Sequence, residues 1–71
     1  MRSLKTLWSM FDRGDSLTTP ELLALYDNIQ KGISFLEARG ETGGVLFKAR
    51  LNRESLSTYL ESRSKQRAEA G

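Results

Sequence analysis

The longest regular pattern of apolar residues in this chain lies between residues 18 and 39. Five apolar residues recur there at spacings of four, three, four and three: Leu22, Tyr26, Ile29, Ile33 and Leu36. Because a helical turn holds 3.6 residues, this spacing predicts an amphipathic helix whose apolar stripe packs against another helix. Leu23, Leu25 and Phe35 widen the stripe beyond a simple coiled-coil seam. We expect the stripe to form the core or the seam of a homodimer.

Local signals mark both ends of this helix. Thr18 and Glu21 have the Thr-x-x-Glu spacing of a capping box, and Pro20 falls in the first turn, where its missing N–H has no helical partner. Arg39 suits the negative end of the helix dipole, and Gly40 suits the position that follows a helix. The sequence therefore predicts a helix over residues 18–39.

The segment 45–64 predicts a second helix. Four apolar residues share one helical face: Leu46, Ala49, Leu56 and Leu60. With a short turn at 41–44, the two helices would make a helical hairpin. Two other interpretations stay open, a short strand over 45–51 or a helix that starts at Arg53 with Asn52 as its N-cap. No large apolar residue follows Leu60, so we expect one domain over 1–65 and a frayed tail over 66–71.

The N-terminal segment 3–13 is amphipathic but ambiguous. Leu4, Leu7, Trp8 and Phe11 fall on one face of a helix, and Gly14 is placed to end it. Read with a period of two, the same segment is a short strand, which would have to pair with its copy in another subunit. In either case we expect these four residues to line a dimer contact or a groove for a partner, since large aromatic side chains dominate cores and binding hot spots.

Composition narrows the classes of function. The chain has 71 residues, no cysteine and no histidine. Disulfides, thiolate metal sites and the commonest general base are therefore absent, and a lone core of this size is marginal, so a second subunit is the expected support. No residue is assigned a catalytic or metal-binding role, and we expect no enzyme activity and no cofactor. The lack of cysteine fits a cytoplasmic protein. No apolar run approaches the ~20 residues of a membrane span, so we expect no membrane partner.

The charges are unevenly spread. Residues 12–41 hold six acidic and three basic residues, whereas residues 48–67 hold six basic and two acidic ones. A basic surface of this kind binds phosphates without sequence specificity. The alternative function is therefore a small nucleic-acid-binding regulator that uses the basic face of residues 48–67. Its candidate contacts are Lys48, Arg50, Arg53 and Arg63.

Two stretches of the chain resemble a known group of proteins. Residues 7–22 (LWSMFDRGDSLTTPEL) and 32–41 (GISFLEARGE) are similar to small accessory proteins from the early region of lambda-like temperate phages. The resemblance implies a non-enzymatic, helical, dimeric early protein that acts in the bacterial cytoplasm and biases infection toward lysis. It implies no particular site residue. With the residue patterns, it favours a protein-interaction module that binds a host or phage protein.

Overall fold

Three α-helices make up the chain in a computed structural model, which describes the backbone of residues 2–70 and the side chains of residues 2–65. Helix α1 spans Leu4–Asp12, α2 spans Thr19–Ala38 and α3 spans Gly44–Ala70. Helices α2 and α3 form an antiparallel hairpin, and α1 packs against α2. Residues 2–70 contain no strand. The predicted α-dominated fold is therefore confirmed.

Helix α2 begins with the capping box that its sequence predicts. The backbone N–H of Glu21 donates to the Thr18 hydroxyl at 3.3 Å, and the backbone N–H of Thr18 donates to the Glu21 carboxylate at 3.0 Å. The bond from the backbone N–H of Thr18 is the main cause that lowers the pKa of Glu21. Slight burial opposes this shift, while the Thr18 hydroxyl and the positive charge of Arg2 lower the pKa further. The cap at the start of α2 is therefore strongest when the Glu21 carboxyl group is ionised.

A glycine ends helix α2 as predicted. Gly40 has a φ of 72°, a left-handed conformation that costs other L residues free energy. The backbone N–H of Gly40 donates to the carbonyl of Glu37, and that of Glu41 donates to the carbonyl of Leu36, each at 3.0 Å. These bonds satisfy carbonyls that the end of a helix would otherwise leave unpaired.

Two small clusters make up the core. The larger one joins all three helices and the loop before α2, and its buried residues are Leu7, Leu17, Leu22, Leu25 and Leu56. The smaller one joins α2 and α3 alone, and its buried residues are Ile33, Leu46 and Ala49. Each fully buried leucine contributes roughly 1.5–3 kcal/mol from the removal of apolar surface from water. Helix α1 therefore completes the core at only one end of the hairpin.

The apolar stripe of α2 is used within the chain. Leu22 and Ile33 are buried, while Tyr26, Ile29 and Leu36 are half-buried. Ile29 packs against both core clusters, so α3 and α1 cover the stripe that we expected a second subunit to share. Leu23 and Phe35, which widen the stripe, stay exposed.

Helix α3 starts earlier than one of the sequence interpretations allowed. It begins at Gly44, so 45–51 is helical rather than a strand, and Asn52 lies inside the helix rather than at its N-cap. The reason is the apolar face that continues through Leu46, Ala49 and Leu56, all of them buried. Burial of this face outweighs the preference of Asn52 for a helix start.

Residues 4–12 adopt the helical alternative of the N-terminal segment. The backbone N–H of Thr6 donates to the Ser3 hydroxyl at 3.2 Å, which caps α1, and Leu7 is fully buried. Gly14, with a φ of 76°, turns the chain toward α2. At the other terminus the backbone is helical to Ala70. The side chains of residues 66–71 and the backbone of residue 71 lie outside the described part of the structure. The fraying that we expect there stays a prediction.

Candidate interaction surfaces

Three of the four N-terminal apolar residues attach α1 to the hairpin. Leu7 is buried in the larger core cluster, Trp8 and Phe11 are half-buried, and Leu4 is exposed. The indole N–H of Trp8 donates to the side-chain oxygen of Asn28 at 2.9 Å. The rings of Trp8 and Phe11 meet edge to face with centroids 5.7 Å apart. Of the predicted groove residues, only Phe11 lines an open cleft.

This cleft, here called the α1 cleft, lies where the turn between α1 and α2 meets α3. Its volume is about 290 Å³, and its lining includes Phe11, Leu17, Leu22, Tyr59, Ser62 and Arg63. Asp15 also lines it, and the charge of this carboxylate is paired with Arg13. The ring of Tyr59 stands edge to face to that of Phe11, 6.0 Å between centroids, and Tyr59 is 53% exposed. One wall of the cleft is therefore aromatic and open to solvent.

The α1 cleft also carries a positioned positive charge, one helical turn along α3 from Tyr59. One guanidinium nitrogen of Arg63 donates to the hydroxyl of Thr19 at 3.2 Å, and the other donates to the backbone carbonyl of Leu17. A guanidinium has five N–H donors, so further donors remain for an acceptor in the cleft. The cleft can thus receive an apolar side chain against its aromatic wall and a carbonyl or carboxylate beside Arg63.

The candidate nucleic-acid contacts lie mostly between helices. Arg50 pairs with Glu37 at 3.0 Å, and Arg53 donates to the side-chain oxygen of Gln30 at 3.0 Å. Arg63 joins α3 to the segment that precedes and starts α2. Three of the four candidates therefore contact groups within the chain, and the exposed Lys48 is the fourth. The sequence could not reveal this, because the acceptors lie thirteen or more residues away. Binding of nucleic acid stays a prediction.

A second apolar surface, here called the turn-end surface, surrounds the turn between α2 and α3. Its four residues are Phe35, Val45, Phe47 and Leu51, which are 60, 73, 65 and 48% exposed. They lie in the last turn of α2 and in the first turns of α3. Two shallow grooves of about 680 and 500 Å³ adjoin it and share Phe47 and Arg50.

Sequence reasoning missed most of the turn-end surface. Phe35 was assigned to the broad stripe of α2, and Phe47 and Val45 were assigned to no surface. The sequence signal for this surface is the set of apolar residues of α3 that do not belong to its buried face. Phe47 and Leu51, four residues apart, form a short apolar row on the side of α3 away from α2.

The acidic residues form no metal site in the part of the chain that the structure describes. No three carboxylates there lie close enough to hold an ion together. Asp15 instead pairs with Arg13 at 3.0 Å. Among the described residues, no helix combines the length and the apolar character needed to span a bilayer. No family model, curated protein or solved structure matches the chain.

Proposed function

We propose that the protein is a non-enzymatic interaction module that binds a host or phage protein through the α1 cleft. The observation that carries this proposal is the pairing of an exposed aromatic wall, Phe11 and Tyr59, with the positioned guanidinium of Arg63. Tyrosine and arginine are enriched among the residues that dominate the binding energy of protein interfaces. Both are already held in place here, so binding costs less side-chain entropy.

The size of the α1 cleft favours a protein side chain as its occupant. Pockets for small molecules usually measure ~300–1,000 Å³ and enclose most of the ligand. At about 290 Å³ and open on one side, the α1 cleft suits one or two side chains of a partner instead. An apolar residue next to an acidic one would match its aromatic and cationic walls.

The resemblance to early proteins of lambda-like temperate phages supports the proposal that this interaction takes place in an infected bacterial cell. In the proposed function the protein acts in the bacterial cytoplasm early in infection and biases development toward lysis. The lack of histidine and cysteine supports a role in binding rather than in catalysis.

Affinity capture with two matched variants tests the proposed function. Tyr59→Ser removes the aromatic wall, and Leu23→Ser removes a side chain of nearly equal exposure, 52% against 53%, from outside the cleft. A tagged chain is recovered from bacterial cells after nuclease treatment, and each captured protein is then titrated with the purified variants by calorimetry. We expect Tyr59→Ser to weaken binding roughly thirtyfold, as the loss of a binding hot spot does, and Leu23→Ser to leave it unchanged.

Two outcomes would contradict the proposed function. One is a partner that binds both variants as tightly as the unmodified chain, which would move the contact away from the α1 cleft. The other is capture that depends on nucleic acid and weakens steeply with salt, which would favour the alternative of a nucleic-acid-binding regulator.

A further inference from the structure

Helix α1 covers one side of the hairpin for only part of its length. Trp8 binds Asn28 on α2, and the ring of Phe11 meets that of Tyr59 on α3. These two contacts define the side of each helix that faces α1. No residue of α1 packs against the smaller core cluster, which lies nearer the turn between α2 and α3. Toward this turn, the described chain places no third helix on the same side.

The side of α2 that faces α1 continues as an exposed row. Residues four and seven apart share one side of a helix, so Gly32 and Phe35 follow Asn28 in this row. A Cβ at Gly32 would meet nothing within 4 Å, and Phe35 is 60% exposed. Arg39 comes one turn after Phe35, and its guanidinium lies 5.4 Å from the centre of the Phe35 ring.

Helix α3 continues its own side in the same way. Residues seven apart return to nearly the same side of a helix, and counting back from Tyr59 gives Asn52 and Val45. Asn52 is half-buried, and Val45 is 73% exposed. Phe47, two positions from Val45, lies on nearly the opposite side of α3 and takes no part. The residues of these two rows are here called the open side of the hairpin: Gly32, Phe35, Arg39, Val45 and Asn52.

Nothing else in the described chain accounts for Gly32. It lies inside α2 with a negative φ, so no left-handed turn requires a glycine there. Glycine inside a helix destabilises it relative to alanine, and no neighbouring group fills the space beside Gly32. A second helix could approach the backbone closely at this position, because no side chain holds it away. The open side is therefore suited to a packed helix.

The charges of the open side are positive. Arg39 belongs to it, and Lys48 follows Val45 by three residues on α3. Among the described side chains, neither cation forms an ion pair with a carboxylate. The two acidic residues near this end of the hairpin, Glu37 and Glu41, line a groove on its other side together with Phe47. The open side thus lacks the negative charge that its two cations would attract.

We infer that the open side binds an acidic amphipathic helix of a partner protein. Helix α1 shows that an amphipathic helix packs on this side of the hairpin. The apolar face of the partner helix would rest on Phe35, Val45 and the backbone at Gly32, with its acidic residues beside the two cations. This contact goes beyond the proposed function, because the open side and the α1 cleft share no residue.

Calorimetry with two synthetic peptides tests this inference. Both peptides are stapled helices with leucine on one face; one has glutamate beside the leucines and the other has lysine. We expect the glutamate peptide to bind at least roughly tenfold more tightly than the lysine peptide. Phe35→Ser should weaken its binding roughly tenfold or more. Phe47→Ser is the matched control, the same change at a residue 65% exposed on the other side of the hairpin, and should leave binding unchanged.

A second variant tests the close approach at Gly32. Gly32→Gln favours the helical state of α2 and therefore keeps the chain folded, but its side chain would hold the two helices apart. We expect it also to weaken binding of the glutamate peptide roughly tenfold. Unchanged binding by Gly32→Gln overturns the inference. So do equal affinities for the two peptides, no binding of either, or equal losses on Phe35→Ser and Phe47→Ser.

The α1 cleft provides the last control, because Arg63 makes it positive as well. Tyr59→Ser, a change within the cleft, should leave binding of the glutamate peptide unchanged. A loss as large as that of Phe35→Ser would place the peptide in the cleft and overturn the inference. A single-stranded DNA oligonucleotide that binds through Phe35, when neither peptide binds, would also overturn it and favour the nucleic-acid alternative.

Discussion

Leu56 is the side chain whose truncation gives the clearest test of the packing. It lies on α3, is fully buried, and belongs to the core cluster that also contains Leu7 and Leu25. All three helices therefore contribute to the pocket that Leu56 fills. Leu56→Ala would leave a cavity among these buried leucines.

The expected loss is large relative to the stability of the whole chain. Truncation of a buried leucine to alanine costs ~2–5 kcal/mol, the sum of the lost transfer free energy and the cavity term. A domain of 71 residues has a free energy of unfolding of roughly 4–11 kcal/mol. Because 1 kcal/mol shifts Tm by ~4–8 °C in a domain of this size, we expect Leu56→Ala to lower Tm by more than about 10 °C.

Urea unfolding followed by circular dichroism measures this loss, with Leu23→Ala as the control. The chemical change is the same, but Leu23 is 52% exposed, so its truncation should cost less than about 0.5 kcal/mol. Both variants are measured at the same protein concentration, so that any self-association would affect the two measurements equally. A difference of less than about 1 kcal/mol between the two variants would refute the assignment of Leu56 to the centre of the core.

Four further predictions concern the helices and the contacts between them. Gly32 is exposed inside α2 and a Cβ there would meet nothing within 4 Å, so Gly32→Ala should stabilise the protein by ~0.5–1 kcal/mol in urea unfolding. Thr18→Ala removes the helix cap and should destabilise by ~1 kcal/mol. Because the pKa of Glu21 is lowered in the folded protein, its ionised carboxylate stabilises the fold fully above the usual carboxyl pKa of 4.5. This stabilisation is lost as the pH falls through the lowered pKa, so Glu21→Gln should flatten this part of the stability–pH curve. Arg63→Gln should lower the free energy of unfolding by ~1–2 kcal/mol, because it leaves the backbone carbonyl of Leu17 without its donor. Arg50→Gln breaks only an exposed ion pair and should lower it by less than ~1 kcal/mol. Equal losses for the two variants would contradict this assignment.

The local signals of the sequence identified the helices well. Thr18, Glu21 and Gly40 act within a few residues of themselves, so their roles as caps of α2 follow from spacing alone. The start of α3 does not follow from spacing alone, because Asn52 carries the same kind of local signal but lies in the middle of a longer buried face. Tertiary burial decides such a position, and spacing along the chain does not measure burial.

The surfaces were harder to predict than the helices. Periodicity shows that Phe35 and Ile33 both belong to the apolar side of α2, yet the first is 60% exposed and the second is buried. The difference depends on which side of α2 is covered by α3: Ile33 packs with Leu46 and Ala49, whereas Phe35, two residues further along, lies on another side of α2. In the same way, spacing along the chain does not show that Arg63 binds the backbone of Leu17, 46 residues away.

The attachment of α1 has a consequence for how the molecule opens. This helix has one fully buried side chain, Leu7, and one side-chain hydrogen bond to α2, that of Trp8 to Asn28. Trp8, Met10 and Phe11 pack on the core as well but are only half-buried, so this short helix should open at a lower free energy than the hairpin that supports it. Amide hydrogens of α1 should therefore exchange with solvent deuterium before those at the centre of α2. Since Trp8 is the only tryptophan of the chain, its fluorescence would report this partial opening separately from global unfolding.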